Sequence, residues 1–477
     1  MLSLQNILTL ILITYVIDAA KPNFFFILVD DLGFGDVNFN RPSDDPEINT
    51  PNMDSLVKNE GLHLMRHYVH FTCTPTRSSF QSGRLPVHVQ TTLADPDKPN
   101  AGIPRNMTGI ASKMQAGGYQ THIVGKWDCG MATFDHTPRG RGYNTSLIYF
   151  EHKNDYWTQL QMQSGCQKST PDIIDLWKDD KPAYGLNGTM YEEYLFANTV
   201  YDLINGFAKT AADEPFFMVY TPHIAHCPLQ VPKDVLDKYD FSDDENMCKA
   251  QTAYIYPGDT DGDNFKCRST YHAMVSVLDE IIGNITTLLK SNNLWDDTLL
   301  VLSSDNGGPL VLDESGCNNT PLRGSKYTPW EGGVRVAAFA SGGYLPESRR
   351  GQKEFGMIHI ADWYTTFSEM IGVDPTDHKA AEYGLPPIDG FNVWPLVSGQ
   401  NETSPRTQIP IYDDALIDGQ YKYLVGNISF ASWGGDKYPN STSPQHPVEY
   451  TYMDCKKGCL FDVVADMTEH VNIADQH

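Results

Sequence analysis

Four oxygen-bearing residues fall as two adjacent pairs far apart in the chain, Asp30-Asp31 and Asp305-Asn306. Each pair follows an unbroken apolar run, residues 24–29 (FFFILV) and 299–302 (LLVL). Three carboxylates and one amide, with no histidine or cysteine among them, suit a hard dication, Ca²⁺ or Mg²⁺. Left uncompensated, the carboxylates repel and raise one another's pKa. The plainer reading is polar turns at strand ends. A second group is Cys73-Thr74-Pro75-Thr76-Arg77, followed by Ser82-Gly83-Arg84. A cysteine in a secreted chain is most often half of a disulfide, but Cys-x-Pro-x-Arg with a downstream Gly-Arg is far more specific. Gly125-Lys126-Trp127-Asp128 is not a phosphate-binding loop. Taken alone, Lys126 and Lys326 read as surface lysines and His226 as a loop histidine, with His223 as its local competitor.

In chain order these residues resemble the sulfatase family. The signature is Cys73-x-Pro-x-Arg77. Asp30-Asp31-Leu-Gly-Phe-Gly-Asp36 and Thr50-Pro-Asn-Met-Asp54 resemble the family's N-terminal block, and Gly118-Tyr119 to Gly125-Lys126-Trp127 its second signature. His226-x-Pro-Leu-Gln-Val-Pro232, Asp305-Asn306-Gly-Gly, Pro321-Leu-Arg-Gly-Ser-Lys326, Trp330-Glu-Gly-Gly-Val-Arg335 and Ile388-Asp-Gly follow in order. The likeness is strongest to the arylsulfatase B group, the N-acetylgalactosamine 4-sulfatases and their relatives.

The resemblance implies an alkaline-phosphatase-like fold and hydrolysis of a sulfated glycan or a small sulfate ester. It implies that a formylglycine-generating enzyme oxidises Cys73 to formylglycine before folding, giving a covalent nucleophile as the hydrated aldehyde. It assigns one Ca²⁺ (Mg²⁺ as second choice) to Asp30, Asp31, Cys73, Asp305 and Asn306. Arg77 holds the nucleophile and the ligand carboxylates, Lys126 and Lys326 clamp sulfate oxygens, and His226 serves the leaving oxygen. One position departs from the pattern. After Gly-Lys-Trp the family carries His, and here Asp128 stands. Beside a dication and Lys126 its carboxylate stays ionised and is a weaker base. Asp128 substitutes, another residue is the base, or the protein binds sulfated glycans with weak turnover; the first reading is favoured. A phosphodiesterase or phosphonate hydrolase of the same fold is disfavoured, because phosphatases of this fold usually carry Ser or Thr as the nucleophile.

The elements that must position these groups read as α/β. Residues 24–29, 215–220 and 299–302 are runs expected of strands buried on both faces of a parallel sheet, and 121–124 is a fourth strand. Ile110 and Met114 lie four apart, and Gly117-Gly118 closes that helix. Met274, Leu278, Ile281, Ile285 and Leu288 hold one helical face. The candidate residues gather at strand ends, where open α/β sheets bind ligands. The expected architecture is a large, mixed, mostly parallel sheet flanked by helices (21–400), then a small C-terminal α+β domain (401–477). The lack of a closing helix marks that last domain as incomplete. Residues 228–268 read as a surface insertion, and Asp259-x-Asp261-Gly-Asp263 within it is a poor match to a calcium loop.

The chain has 477 residues, and 35 basic against 60 acidic residues give a net charge of −25. No basic stripe exists, which argues against nucleic acid, and a local dication or lysines must reverse the field for an anionic substrate. The apolar run at 7–17 followed by Ala19-Ala20 reads as a signal peptide over residues 1–20. No later segment is apolar enough to span a membrane, so a secreted or lysosomal product is expected. Eight Asn-x-Ser/Thr sequons, at Asn106, Asn144, Asn187, Asn284, Asn318, Asn401, Asn427 and Asn440, are candidate surface glycan sites. Nine cysteines leave one odd thiol in an oxidising compartment, with Cys73 the candidate.

Overall fold

A computed structural model describes residues 21–41, 47–93, 101–162, 173–208, 214–239, 241, 254–259, 266–310, 316–435 and 451–477. The run at 24–29 becomes β1 (Asn23–Val29), every residue of which is buried. Its side chains alternate between two cores. Phe25, Ile27 and Val29 face one; Phe24, Phe26 and Leu28 face the other. That double burial is why the run is continuous and not alternating.

Ten strands form the main sheet, in the order β11 (Gln352–Glu354), β2 (Leu62–Leu64), β10 (Ala338–Ser341), β9 (Thr298–Ser304), β1, β8 (Phe216–Thr221), β4 (Gln120–Lys126), β5 (Thr145–Tyr149), β6 (Trp177–Lys178) and β7 (Lys181–Pro182). The five central strands, β9 to β5, run parallel. Antiparallel neighbours flank them. The two-stranded sheet is β3 (His67–Tyr68) with β12 (Ile358–His359). A four-stranded antiparallel sheet, β13 (Gln408–Tyr412), β14 (Ala415–Asp418), β15 (Tyr421–Ser429) and β16 (Tyr452–Asp462), makes the C-terminal part, with one 3-10 turn at Ala474–Gln476.

Helices cover both faces. Helix Cys267–Ser291 carries the predicted apolar stripe into the first core. Helix Ile110–Ala116 and helix Asp362–Met370 pack in the second. Among the described residues no helix is long and apolar enough to cross a membrane.

Three expectations are corrected. The segment 228–268 is not simply a surface insertion: Leu229, Val231 and Ile255 are core residues, and Arg268 is buried against Asp36 and Glu47. Asn318 is fully buried, and its amide carbonyl caps Thr320 N at 2.8 Å, so its sequon is not a surface site. One odd thiol does not describe the cysteines. Cys73, Cys129, Cys227 and Cys317 all remain thiols, and Cys129 and Cys317 lie in opposite cores. Cys455 and Cys459 form a disulfide, and Cys267 is also disulfide-bonded. The signal peptide, Asn440, Asp261, Asp263, Cys166 and Cys248 lie outside the described residues.

Candidate active site

Register brings the first two pairs together. β1 and β9 are neighbours with Val29 opposite Ser304, so the residues that follow, Asp30 and Asp305, leave the sheet side by side. Asp305 N donates to Val29 O at 2.9 Å and Asp31 N to Asp305 Oδ1 at 3.3 Å. Asp31 takes the left-handed conformation, φ 54°, which Asp tolerates better than most residues. On the other flank, β4 ends at Lys126, and Asp128 turns with φ 48°.

Helix Cys73–Ser82 points its N-terminus at this cluster, and all ten of its residues are buried. Cys73 Sγ lies 3.5 Å from Asp30 Oδ1. One turn on, Arg77 reaches Asp305 Oδ2 through Nε and Nη2, both at 2.8 Å, and its Nη1 donates to Lys126 O at 3.2 Å. Lys126 Nζ pairs with Asp30 Oδ2 at 2.7 Å, and Lys326 Nζ with Asp31 Oδ1 at 2.7 Å. Asn306 Nδ2 donates to Asp31 Oδ1 at 2.6 Å.

His226 sits on the loop after β8. That loop is tied to Asp30 by Asp30 N to Ile224 O at 3.2 Å and Ala225 N to Asp30 O at 2.7 Å. His226 Nδ1 donates to Cys227 O at 2.6 Å, which leaves Nε2 facing Asp31 Oδ2 at 3.6 Å. His223 turns instead to Glu192, 3.0 Å away, and stacks on Tyr156. It supports the loop.

All ten sequence-predicted residues are therefore in one buried cluster. Burial, with Asp305 next, raises the Cys73 thiol well above its usual pKa, so it is no thiolate nucleophile as it stands. Burial and the Asp30 charge lift Asp305 to about 6. Burial opposes the charge on Lys126, but Asp30 together with the other neighbouring acidic groups outweighs it and holds the ammonium protonated. Burial would raise Asp128, but His152 beside it and the Lys126 ammonium outweigh burial and keep it ionised below the usual carboxylate range. Burial, then Lys326 and Lys126, push His226 well below its ordinary value.

The donors suit a hard cation. Ligand atoms of Asp30, Asp31, Cys73 and His226 lie within 4.8 Å of one another, and the buried Asn306 Oδ1 has no hydrogen-bond partner. A buried carbonyl left without a donor is costly unless something positive meets it. The charges also argue for one. Asp30, Asp31, Asp305 and Asp128 oppose Arg77, Lys126 and Lys326, so the site is net −1 and a dication makes it +1, as an anionic substrate needs.

Two contributors had no sequence signal. Thr74 Oγ1 donates to Asp128 Oδ1 at 2.7 Å, and His152 Nδ1 lies 3.0 Å from the same oxygen. Thr74 is hidden inside the signature as a variable position, and His152 belongs to no motif.

A family model described as Sulfatase matches residues 22–373. Arylsulfatase J of Mus musculus is 29% identical over 489 residues, covering 96% of this chain and 73% of that protein. N-acetylgalactosamine-6-sulfatase of Homo sapiens is 26% identical over 400 residues, covering 79% of this chain and 66% of that protein. The crystal structure of Ps i-CgsB in complex with k-i-k-neocarrahexaose superimposes with a TM-score of 0.72 at 25% identity, covering 96% of this chain and 89% of that one. With the Cys73 signature at the mouth of a parallel sheet and a matching family model over most of its length, the chain belongs to the sulfatase family.

Proposed function

We propose that this protein hydrolyses sulfate esters on a sulfated glycan, using formylglycine made from Cys73 and one Ca²⁺. The observation that carries the reading is the convergence of Cys73, Arg77, Lys126 and Lys326 on the carboxylates at the ends of β1 and β9. Asp30, Asp31, Asp305, Asn306 and residue 73 would hold the cation, and His226 Nε2 stands close enough to compete for a place. A dication held there would supply positive charge to offset the sulfate and would lower the pKa of a hydroxyl on residue 73. Formylglycine at position 73, once hydrated, would supply the hydroxyl nucleophile toward sulfur and, on returning to the aldehyde, a route for sulfate to leave.

The chain's own groups do the rest. Arg77 orients residue 73 from one helical turn away. Lys126 and Lys326, fixed by aspartates, present ammonium groups to non-bridging sulfate oxygens as charge builds. His226 is neutral until an anion arrives; the sulfate ester then favours its protonated form, which gives the leaving alkoxide its proton.

The substrate class is supported by the adjoining cleft. It holds about 350 Å³ and is lined by Phe71, Thr72, Tyr327, Tyr412 and Asp414, among others. Two of its lining residues, Thr72 and Tyr327, are the chain neighbours of Cys73 and Lys326. Aromatic faces with flanking polar groups suit a sugar ring. Passage through the secretory pathway to the lysosome or cell exterior fits this substrate.

The test is sulfate release from an aryl sulfate by protein co-expressed with a formylglycine-generating enzyme. Turnover should vanish in Cys73→Ala and with chelator. No turnover by wild type with formylglycine present, on aryl sulfate or sulfated oligosaccharide, would refute the reading.

A further inference from the structure

Position 128 leaves the site short of an imidazole. Asp128 is ionised and caged: Oδ1 accepts from Thr74 Oγ1 at 2.7 Å, and Oδ2 lies 3.7 Å from Lys126 Nζ. A carboxylate so stabilised is a poor proton acceptor. His152 lies beyond the end of β5, on the same edge of the sheet as the cluster. It is buried, with its Nδ1 3.0 Å from Asp128 Oδ1, and its Nε2 has no hydrogen-bond partner among the described residues. Nδ1 likewise makes no hydrogen bond in this geometry: the 3.0 Å approach to Asp128 lies outside hydrogen-bond alignment, and catalytic contacts without substrate are often misaligned and tighten when it binds.

Both residues are held in place through their backbones. Asp128 N donates to Phe150 O at 3.2 Å, linking the turn after β4 to the segment after β5. Asp175 accepts from Phe150 N at 2.8 Å and Glu151 N at 2.9 Å, fixing the two residues before His152. A buried imidazole is thus placed beside a carboxylate that is itself bonded to the residue following position 73.

We propose that His152 supplies the imidazole that position 128 lacks, with Asp128 as its positioning carboxylate. This rests on the sulfatase reading above. A carboxylate at Nδ1 selects the Nδ1–H tautomer and leaves Nε2 as the acceptor. In the step that expels sulfate, the remaining hydroxyl of residue 73 gives its proton to His152 Nε2. The O–H electron pair becomes the carbonyl bond, the carbon–oxygen bond to the sulfate breaks, and its pair leaves on sulfate. Asp128 stabilises the imidazolium until the proton passes to water. The charged and titratable groups around the pair are Lys126 on β4, Arg77 and Cys73 on the helix, Cys129 after the turn, and Asp175 behind the loop. Asp128 therefore remains useful in exchange for the family's histidine: it orients a base and is not one.

The test uses the full chain with formylglycine occupancy checked by peptide mass. His152→Ala should lower the steady-state rate by about 10²–10⁴-fold with little change in KM. It should still release one alcohol per site in a burst, since the first half-reaction does not need the base. Asp128→His in the His152→Ala background should restore at least tenfold, which a structural role for His152 would not allow. Imidazole ¹⁵N spectra of the wild-type protein should show His152 protonated at Nδ1, and Asp128→Asn should remove that preference. A wild-type rate in His152→Ala, or an Nε2–H tautomer, overturns the proposal and leaves the sulfatase reading standing. Wild-type protein that never turns over refutes that reading and this proposal together. Should His152→Ala not fold, the tautomer decides.

Discussion

Lys126 and Lys326 are both buried and each is paired with an aspartate, yet they are not interchangeable with any apolar residue of equal volume. Removing either strands a buried carboxylate, and a bound dication compensates only the ligand set as a whole. Lys326→Ala should therefore cut turnover by about 10²–10³-fold while a thermal melt in Ca²⁺ stays cooperative; a wild-type rate would exclude the clamp role. Arg77→Ala is harsher, because Arg77 is the partner of Asp305 and also lies 3.8 Å from Asp30. It should cost about 3–5 kcal/mol in chemical denaturation. The aromatic cleft adds a specificity test: Tyr412→Ala should raise KM for a sulfated oligosaccharide and leave a small aryl sulfate nearly unaffected.

Elements matter through how closely they approach one another. Gly125, in β4 just before Lys126, has φ 111°, and a Cβ there would lie 1.9 Å from Thr221 O of β8. Gly125→Ala must push β4 from β8 and carry Lys126 off Asp30. Activity should fall further than the melting temperature does, a split that comparing kcat with a melt would reveal. The central elements were readable because burial on both faces leaves an unbroken apolar run, as at β1 and β9. β2, β10 and β11 were not: they are three or four residues long and owe their conformation to neighbours already in the sheet. The same contrast holds in the site. Cys73, Arg77 and the aspartates sit in spaced motifs, whereas His152 gains meaning only when the turn after β4 meets the end of β5. The thiol count misled because parity says nothing about which side of a sheet a cysteine occupies.

Over the whole molecule, the C-terminal sheet is joined to the main body by a buried ionic triad. Lys422 of β15 contacts Glu331 at 2.7 Å and Glu469 at 3.0 Å, all three inaccessible to solvent. Lys422→Met leaves two carboxylates facing each other and should destabilise the protein by about 3–5 kcal/mol. Burial, opposed by Lys422 and assisted by Glu331, raises Glu469 to about 7 from its ordinary 4.5. A carboxyl raised on folding binds its proton more tightly in the native state, so its contribution to stability is greatest below pH 4.5 and declines as pH climbs to 7. Glu469→Gln should flatten the melting temperature across that window; an unchanged slope would show that Glu469 does not govern it. A glycopeptide map of secreted protein should find Asn318 bare, with Asn284, Asn401 and Asn427 exposed and available. The depth at which Cys73 lies, 2% exposed at the head of a wholly buried helix, sets a deadline on the proposed maturation. A modifying enzyme must reach the segment while it is still an open strand of polypeptide; afterwards the door is shut. The folded chain accommodates the unmodified thiol at this depth, so an unconverted chain is expected to fold and accumulate beside the converted one. The active fraction of a preparation is then fixed by a race during synthesis between conversion and folding, and slower translation or more modifying enzyme raises it, whereas treating the finished protein does not.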